Sequence, residues 1–139
     1  MANGWDTFDH TGDLGLEVWA DSPPQLYATA ALALAAQIVR GGEASDQVVW
    51  RGVLEGDDAA DLLVHWLNTV LLEGETRHAV WTSADVTAWS PTRLEARLSG
   101  SKRDRARHEF LREVKAVSYH DLSLDLERRP CRCRLILDL

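Results

Sequence analysis

The spacing of apolar residues changes period along this chain, and that change limits the folds open to it. Between residues 58 and 73, Leu62 with Leu63, Trp66 with Leu67 and Val70 with Leu71 recur every four residues. That is the wide stripe of a helix packed on one side. From Arg93 onward the period is two. Leu94, Ala96 and Leu98 alternate with Arg93, Glu95 and Arg97; Leu122, Leu124 and Leu126 alternate with Ser123, Asp125 and Glu127. Cys131, Cys133, Leu135 and Leu137 alternate with Arg132, Arg134, Ile136 and Asp138. Strands with one apolar face belong to antiparallel sheet that covers a core on one side.

The remaining elements fit around these. Residues 5–9 and 14–20 read as short strands joined by Thr11-Gly12-Asp13, and 47–54 as another. Ser22 before Pro23 and Pro24 starts a helix expected to run to about Arg40, where Gly41-Gly42 ends it. Alanine fills much of that helix, so most of its circumference is expected to be buried. The helix at 58–73 opens on Asp57, Asp58 and Asp61, which suit its positive end, and Gly74 is its expected stop. Ser90-Pro91 turns one strand into the next, and Lys115, Val117 and Tyr119 share one face of a later strand. No repeat, low-complexity tract or linker divides the chain. The expectation is α+β: two helices packed on largely antiparallel β-sheet in one domain, 1–139.

Composition narrows the function. With 139 residues, 45% hydrophobic and 27% charged, the chain can bury a core without disulfide or zinc staples. Cys131 and Cys133 stand on one strand face about 7 Å apart, awkward for a disulfide and better suited to a reducing compartment. The first residues carry no basic and apolar leader pattern, and the apolar stretch at 26–39 is interrupted by Thr29 and Gln37. A cytoplasmic protein is expected, with no membrane partner. The net charge of -7 is unevenly spread: residues 1–92 hold 3 basic and 14 acidic side chains, residues 93–139 hold 12 and 8. An acidic chain is a poor nucleic-acid binder by itself. No phosphate-binding glycine loop, dinucleotide fingerprint or serine-hydrolase elbow is present.

Three segments carry groups able to do chemistry. In His10-Thr-Gly-Asp-Leu-Gly-Leu16, Asp13 lies between glycines where backbone can approach a ligand, although turns use the same residues. At the other end, Asp138 adjoins the α-carboxylate of Leu139, two negative groups that a divalent cation, or Arg132 and Arg134, could answer. Between them, Lys102, Arg103, Arg105 and Arg107 form a basic loop ahead of Lys115, His108 and His120. The histidines are open to roles as ligands or proton carriers, without a zinc-type spacing to favour either.

Taken in order, His10-Thr-Gly-Asp-Leu-Gly, Glu113-Val-Lys-Ala-Val-Ser-Tyr-His120 and the final Leu-Asp138-Leu139 resemble the archease family across essentially the whole chain. Two positions depart from its usual pattern: Gly12 stands where alanine is common, and Gly100-Ser101 where Gly-Glu is. The resemblance implies the archease fold and a protein cofactor rather than an enzyme. Its partner would be the RtcB-type RNA ligase of tRNA splicing and RNA repair, which joins 2′,3′-cyclic or 3′-phosphate ends to a 5′-hydroxyl with GTP and divalent metal. The cofactor would promote guanylylation of the ligase and multiple turnover, meeting RNA only through it. Asp13, Asp138 and the carboxylate of Leu139 would hold one divalent cation, calcium or magnesium. His10, Lys115 and His120 would face the ligase. A small metal-dependent phosphoester hydrolase and a chaperone-like modulator of a tRNA-modifying enzyme are the competing readings.

Overall fold

The turn at Thr11-Gly12 closes a hairpin between β1 (Gly4–His10) and β2 (Asp13–Ala20), with Gly12 at φ +74°, a conformation that favours glycine. These positions come from a computed structural model, which describes residues 3–139. The Ser22 hydroxyl accepts the Gln25 N–H, and Pro23 and Pro24 open α1 (Pro23–Ala36). After it come β3 (Val39–Gly41), β4 (Val48–Glu55) and α2 (Ala59–Arg77), the last capped by the Asp58 carboxylate on the Asp61 N–H. Next comes β5 (Ala79–Ser90), whose burial does not alternate, and the stretch from Arg93 supplies β6 (Arg93–Lys102), β7 (His108–Phe110), β8 (Ala116–Val117), β9 (Ser123–Asp125) and β10 (Cys131–Asp138).

All pairings among the described residues are antiparallel. One sheet runs β1-β2-β10-β8, with β9 also on β10; a second runs β4-β6-β5; β3 pairs with β7. The architecture is α+β, as the two periods require. Helix α1 packs against both β2 and β5, between the two larger sheets, and is buried along Leu26, Tyr27, Ala30, Ala31, Ala33 and Leu34. Its alanines permit that close approach on several sides. Helix α2 buries Leu62, Leu63, Trp66, Leu67 and Val70 in the same core. Trp66 is fully buried and its indole N–H donates to the Tyr27 carbonyl at 2.9 Å, so the ring is both packed and satisfied. Cys131 and Cys133 are free core thiols.

Several boundaries differ from the sequence expectation. Helix α1 stops at Ala36 rather than Arg40, because Val39–Gly41 pairs with β7 some 70 residues later. Helix α2 passes through Gly74 to Arg77, and His78 takes the left-handed cap at φ 52°. Gly74 is buried beneath Trp81, whose indole nitrogen would lie 3.1 Å from an added Cβ; it is a packing glycine and not a stop. The expected strand holding Lys115, Val117 and Tyr119 on one face contracts to Ala116–Val117, and the strand at 122–126 to Ser123–Asp125.

Candidate functional site at the end of the five-stranded sheet

Alternation gives β2 and β10 opposite faces. Leu14, Leu16, Val18 and Cys131, Cys133, Leu135, Leu137 point to the core, so Asp13 and Asp138 point away from it. The register then decides their separation. Leu137 pairs with Leu14, and the next step sets Asp138 opposite Asp13, where directly opposed Cα atoms lie about 4.5–5.5 Å apart. His10 pairs with Asp13 and Ala116 with Asp138, completing one row across four strands.

Lys115 lies at the same end, its backbone N–H donating to the Asp138 carbonyl at 2.8 Å while its side chain is exposed. Leu139, 39% exposed, follows directly. The last member arrives through the 118–122 turn, in which Leu122 N–H returns to the Tyr119 carbonyl and Asp121 is left-handed at φ 53°. Asp121 Oδ2 lies 3.2 Å from His10 Nε2 and 3.3 Å from His120 Nε2, with the two rings edge-on at 5.8 Å. His10, Asp13, Lys115, His120, Asp138 and Leu139 thus occupy one end of the sheet, whereas His108 of the basic loop lies apart from it, against Ser101 and Asp104.

Neighbouring groups hold this end in place. The Asn68 side chain of α2 makes two 2.9 Å bonds with Val117, accepting its N–H and donating to its carbonyl. The Tyr119 hydroxyl donates to Asp61 in the first turn of α2. That bond pushes the phenol up to about 12 and lowers the Asp61 carboxyl. On the outer face of β1 and β2, the Phe8 ring lies across Gly15, where an added Cβ would meet it at 2.1 Å. Gly15 therefore makes room for an aromatic ring, a different reason from the ligand approach the sequence suggested.

The arginines expected to answer Asp138 are engaged elsewhere. Arg132 pairs with Glu17 at 3.5 Å and lies over Trp19, and the Arg134 guanidinium lies 4.1 Å from the Phe8 ring centroid. Among the described residues no basic side chain pairs with Asp138. The oxygen donors of Asp13, Asp138 and the Leu139 carboxylate suit a hard cation. Sequence reasoning missed Asp121, which follows His120 directly but meets His10 only through a contact 111 residues apart. It also missed Asn68, whose role depends on a strand of two residues.

The model of the Archease protein family matches residues 5–139. The chain belongs to the archease family. Archease of Pyrococcus furiosus is 30% identical over 129 residues, covering 91% of this chain and 89% of its own. Archease of Methanopyrus kandleri is 28% identical over 138 residues, covering 97% and 99%. The solution structure of Methanobacterium thermoautotrophicum protein 1598 superposes with a TM-score of 0.78 at 25% identity, covering 98% and 99%. The segments around His10, Lys115 and Asp138 are distant in sequence and meet in this fold at one end of one sheet. No helix among the described residues is long and apolar enough to cross a membrane.

Proposed function

We propose that this protein activates an RtcB-type RNA ligase in tRNA splicing and RNA repair, promoting its GTP-dependent guanylylation and its multiple turnover without performing ligation itself. The observation that carries the reading is the row His10, Asp13, Asp138, with Lys115 and His120 beside it, formed by the three motifs on which the family resemblance rests.

In this reading Asp13, Asp138 and the α-carboxylate of Leu139 would hold one divalent cation, calcium or magnesium. Bound there, the ion supplies positive charge at an otherwise acidic edge. The chain's own residues do the rest. Continued one step beyond Leu137–Leu14, the β2–β10 register supports a placement of Asp13 and Asp138 opposite each other, and Asn68 holds β8 so that Lys115 stays at the same edge. His10, Lys115 and His120 present two imidazoles and an ammonium to the ligase. An exposed edge of this chemistry is suited to approach a site that handles metal and phosphate.

Transfer of labelled guanylate from GTP to the ligase tests this. Added protein should raise the guanylylated fraction at limiting metal, and Asp13→Ala should not; equal stimulation by Asp13→Ala would remove the acidic edge from the mechanism. Two other outcomes belong to the competing readings. Metal-dependent phosphoester cleavage without any ligase would favour the hydrolase, and His10 held by Asp121 at 3.2 Å is the group it would use as base. Capture of a tRNA-modifying enzyme with no effect on ligation would favour the modulator.

A further inference from the structure

The proposed hard-cation site uses only oxygen donors and gives no metal-binding role to the two imidazoles and Asp121. His10, His120 and Asp121 each offer a ligand atom, and the three atoms lie within 4.8 Å of one another. Both nitrogens approach the same carboxylate oxygen, at 3.2 and 3.3 Å. Donors at 2.0–2.1 Å from a tetrahedral ion are about 3.3–3.4 Å apart, so two edges of such a tetrahedron are already set. A further observation concerns His10 alone. Its Nδ1 is buried without a hydrogen-bond partner and faces Asp13 Oδ2 at 3.8 Å. A carboxylate behind the far nitrogen of a histidine is the usual support of a ligating imidazole, fixing its tautomer and orientation.

We propose that His10 Nε2, His120 Nε2 and Asp121 Oδ2 form a second metal site, for a zinc-class divalent ion, with Asp13 as the residue that orients His10. Imidazole nitrogen favours zinc, cobalt or nickel over calcium and magnesium, so the two sites differ in the ions they take. With three protein ligands and with His120 and Asp121 side chains 66% and 60% exposed, the fourth coordination position faces solvent. Occupation would tie the 118–122 turn to the end of β1. The inference stands independently of the ligase reading, because it concerns binding by this chain alone.

Cobalt(II) is the probe. The full-length chain is stripped with a chelator and titrated at pH 7.5 while visible absorption is followed, with calcium in excess to fill the oxygen site. The wild type should saturate at one cobalt per chain with the strong absorption of a low-coordinate ion. His120→Ala and Asp121→Ala, both at exposed positions, should each weaken binding by about tenfold or more. Asp138→Ala should bind as the wild type does. Circular dichroism confirms that each variant is folded. Absence of the absorption in the wild type, equal binding by His120→Ala, or loss of binding in Asp138→Ala or under calcium would each overturn the assignment.

Discussion

Substituting Gly15 tests how the sheet face beside the site is built. An ideal Cβ on Gly15 would lie 2.1, 2.2 and 2.4 Å from three atoms of the Phe8 ring. Ordinary carbon contacts are about 3.5–4.0 Å, so the overlap exceeds about 1 Å and the ring must leave its position. The cost has two parts. Arg134 loses its cation–π contact, about 0.5–1 kcal/mol at an exposed place. Half-buried Phe8 loses roughly half the value of a fully buried side chain, about 1 kcal/mol. Alanine in place of glycine returns roughly 0.5–1 kcal/mol by restricting the unfolded chain. Gly15→Ala should therefore destabilise by about 1 kcal/mol, lowering Tm by about 4 °C in a domain of this size. The decisive comparison is the same substitution in Phe8→Ala, where the ring is gone. There Gly15→Ala should stabilise by about 0.5 kcal/mol or more, so the sign of its effect reverses. Urea unfolding followed by circular dichroism on the four variants reads both numbers. Equal effects of Gly15→Ala in the two backgrounds would refute the packing argument.

Other perturbations follow from single contacts. Asn68→Ala leaves the Val117 N–H and carbonyl without their partner and should cost about 2–4 kcal/mol. Amide exchange should accelerate first in 115–120, and uniform acceleration through the core would contradict a local staple. Low pH should weaken the Tyr119 to Asp61 link: the Asp61 carboxyl is lowered in the fold, so its stabilisation is present above the unfolded carboxyl range and lost as pH falls through the folded value. Tyr119, pushed up to about 12, favours folding below the ordinary phenol range and ceases to as pH rises through about 12. Ultraviolet titration should show one phenol ionising near that value, and Asp61→Asn should lower it. Burial pushes the Cys133 thiol up to about 12, so a thiol reagent at pH 8 should label it only in denaturant. Rapid labelling of Cys133 in the native protein would contradict its place in the core.

What the sequence shows clearly is what local period and local chemistry encode. Leu135 and Leu137 against Arg134 and Asp138 announce the faces of β10, and Ser22-Pro-Pro announces the start of α1. What it conceals depends on remote pairing. Val39–Gly41 looks like the tail of a helix until His108–Phe110 is placed beside it. Gly74 looks like a stop until Trp81 is seen to occupy the space where its side chain would be. The candidate site divides in the same way. Asp13 and Asp138 stand out as carboxylates needing an answer, yet their juxtaposition rests on the β2–β10 register, which joins the two ends of the chain. Asp121 had no signal at all, since neither its spacing from His10 nor its exposure marks it. Arg132 and Arg134 were sound partners for Asp138 by alternation alone; the aromatic rings of Trp19 and Phe8 hold them instead.

If the acidic edge formed by Asp13 and Asp138 serves a ligase, ligase turnover responds to it. RNA with a 2′,3′-cyclic phosphate end and a 5′-hydroxyl end is supplied in large excess over an RtcB-type ligase from the same source, with GTP and divalent metal. Product per ligase is then counted without addition, with this protein and with its folded Asp138→Ala variant. The ligase alone should give about one product per molecule, the wild type should raise this to many, and Asp138→Ala should bring no gain. Unchanged turnover with the wild type, or full stimulation by Asp138→Ala, would contradict that role of the edge.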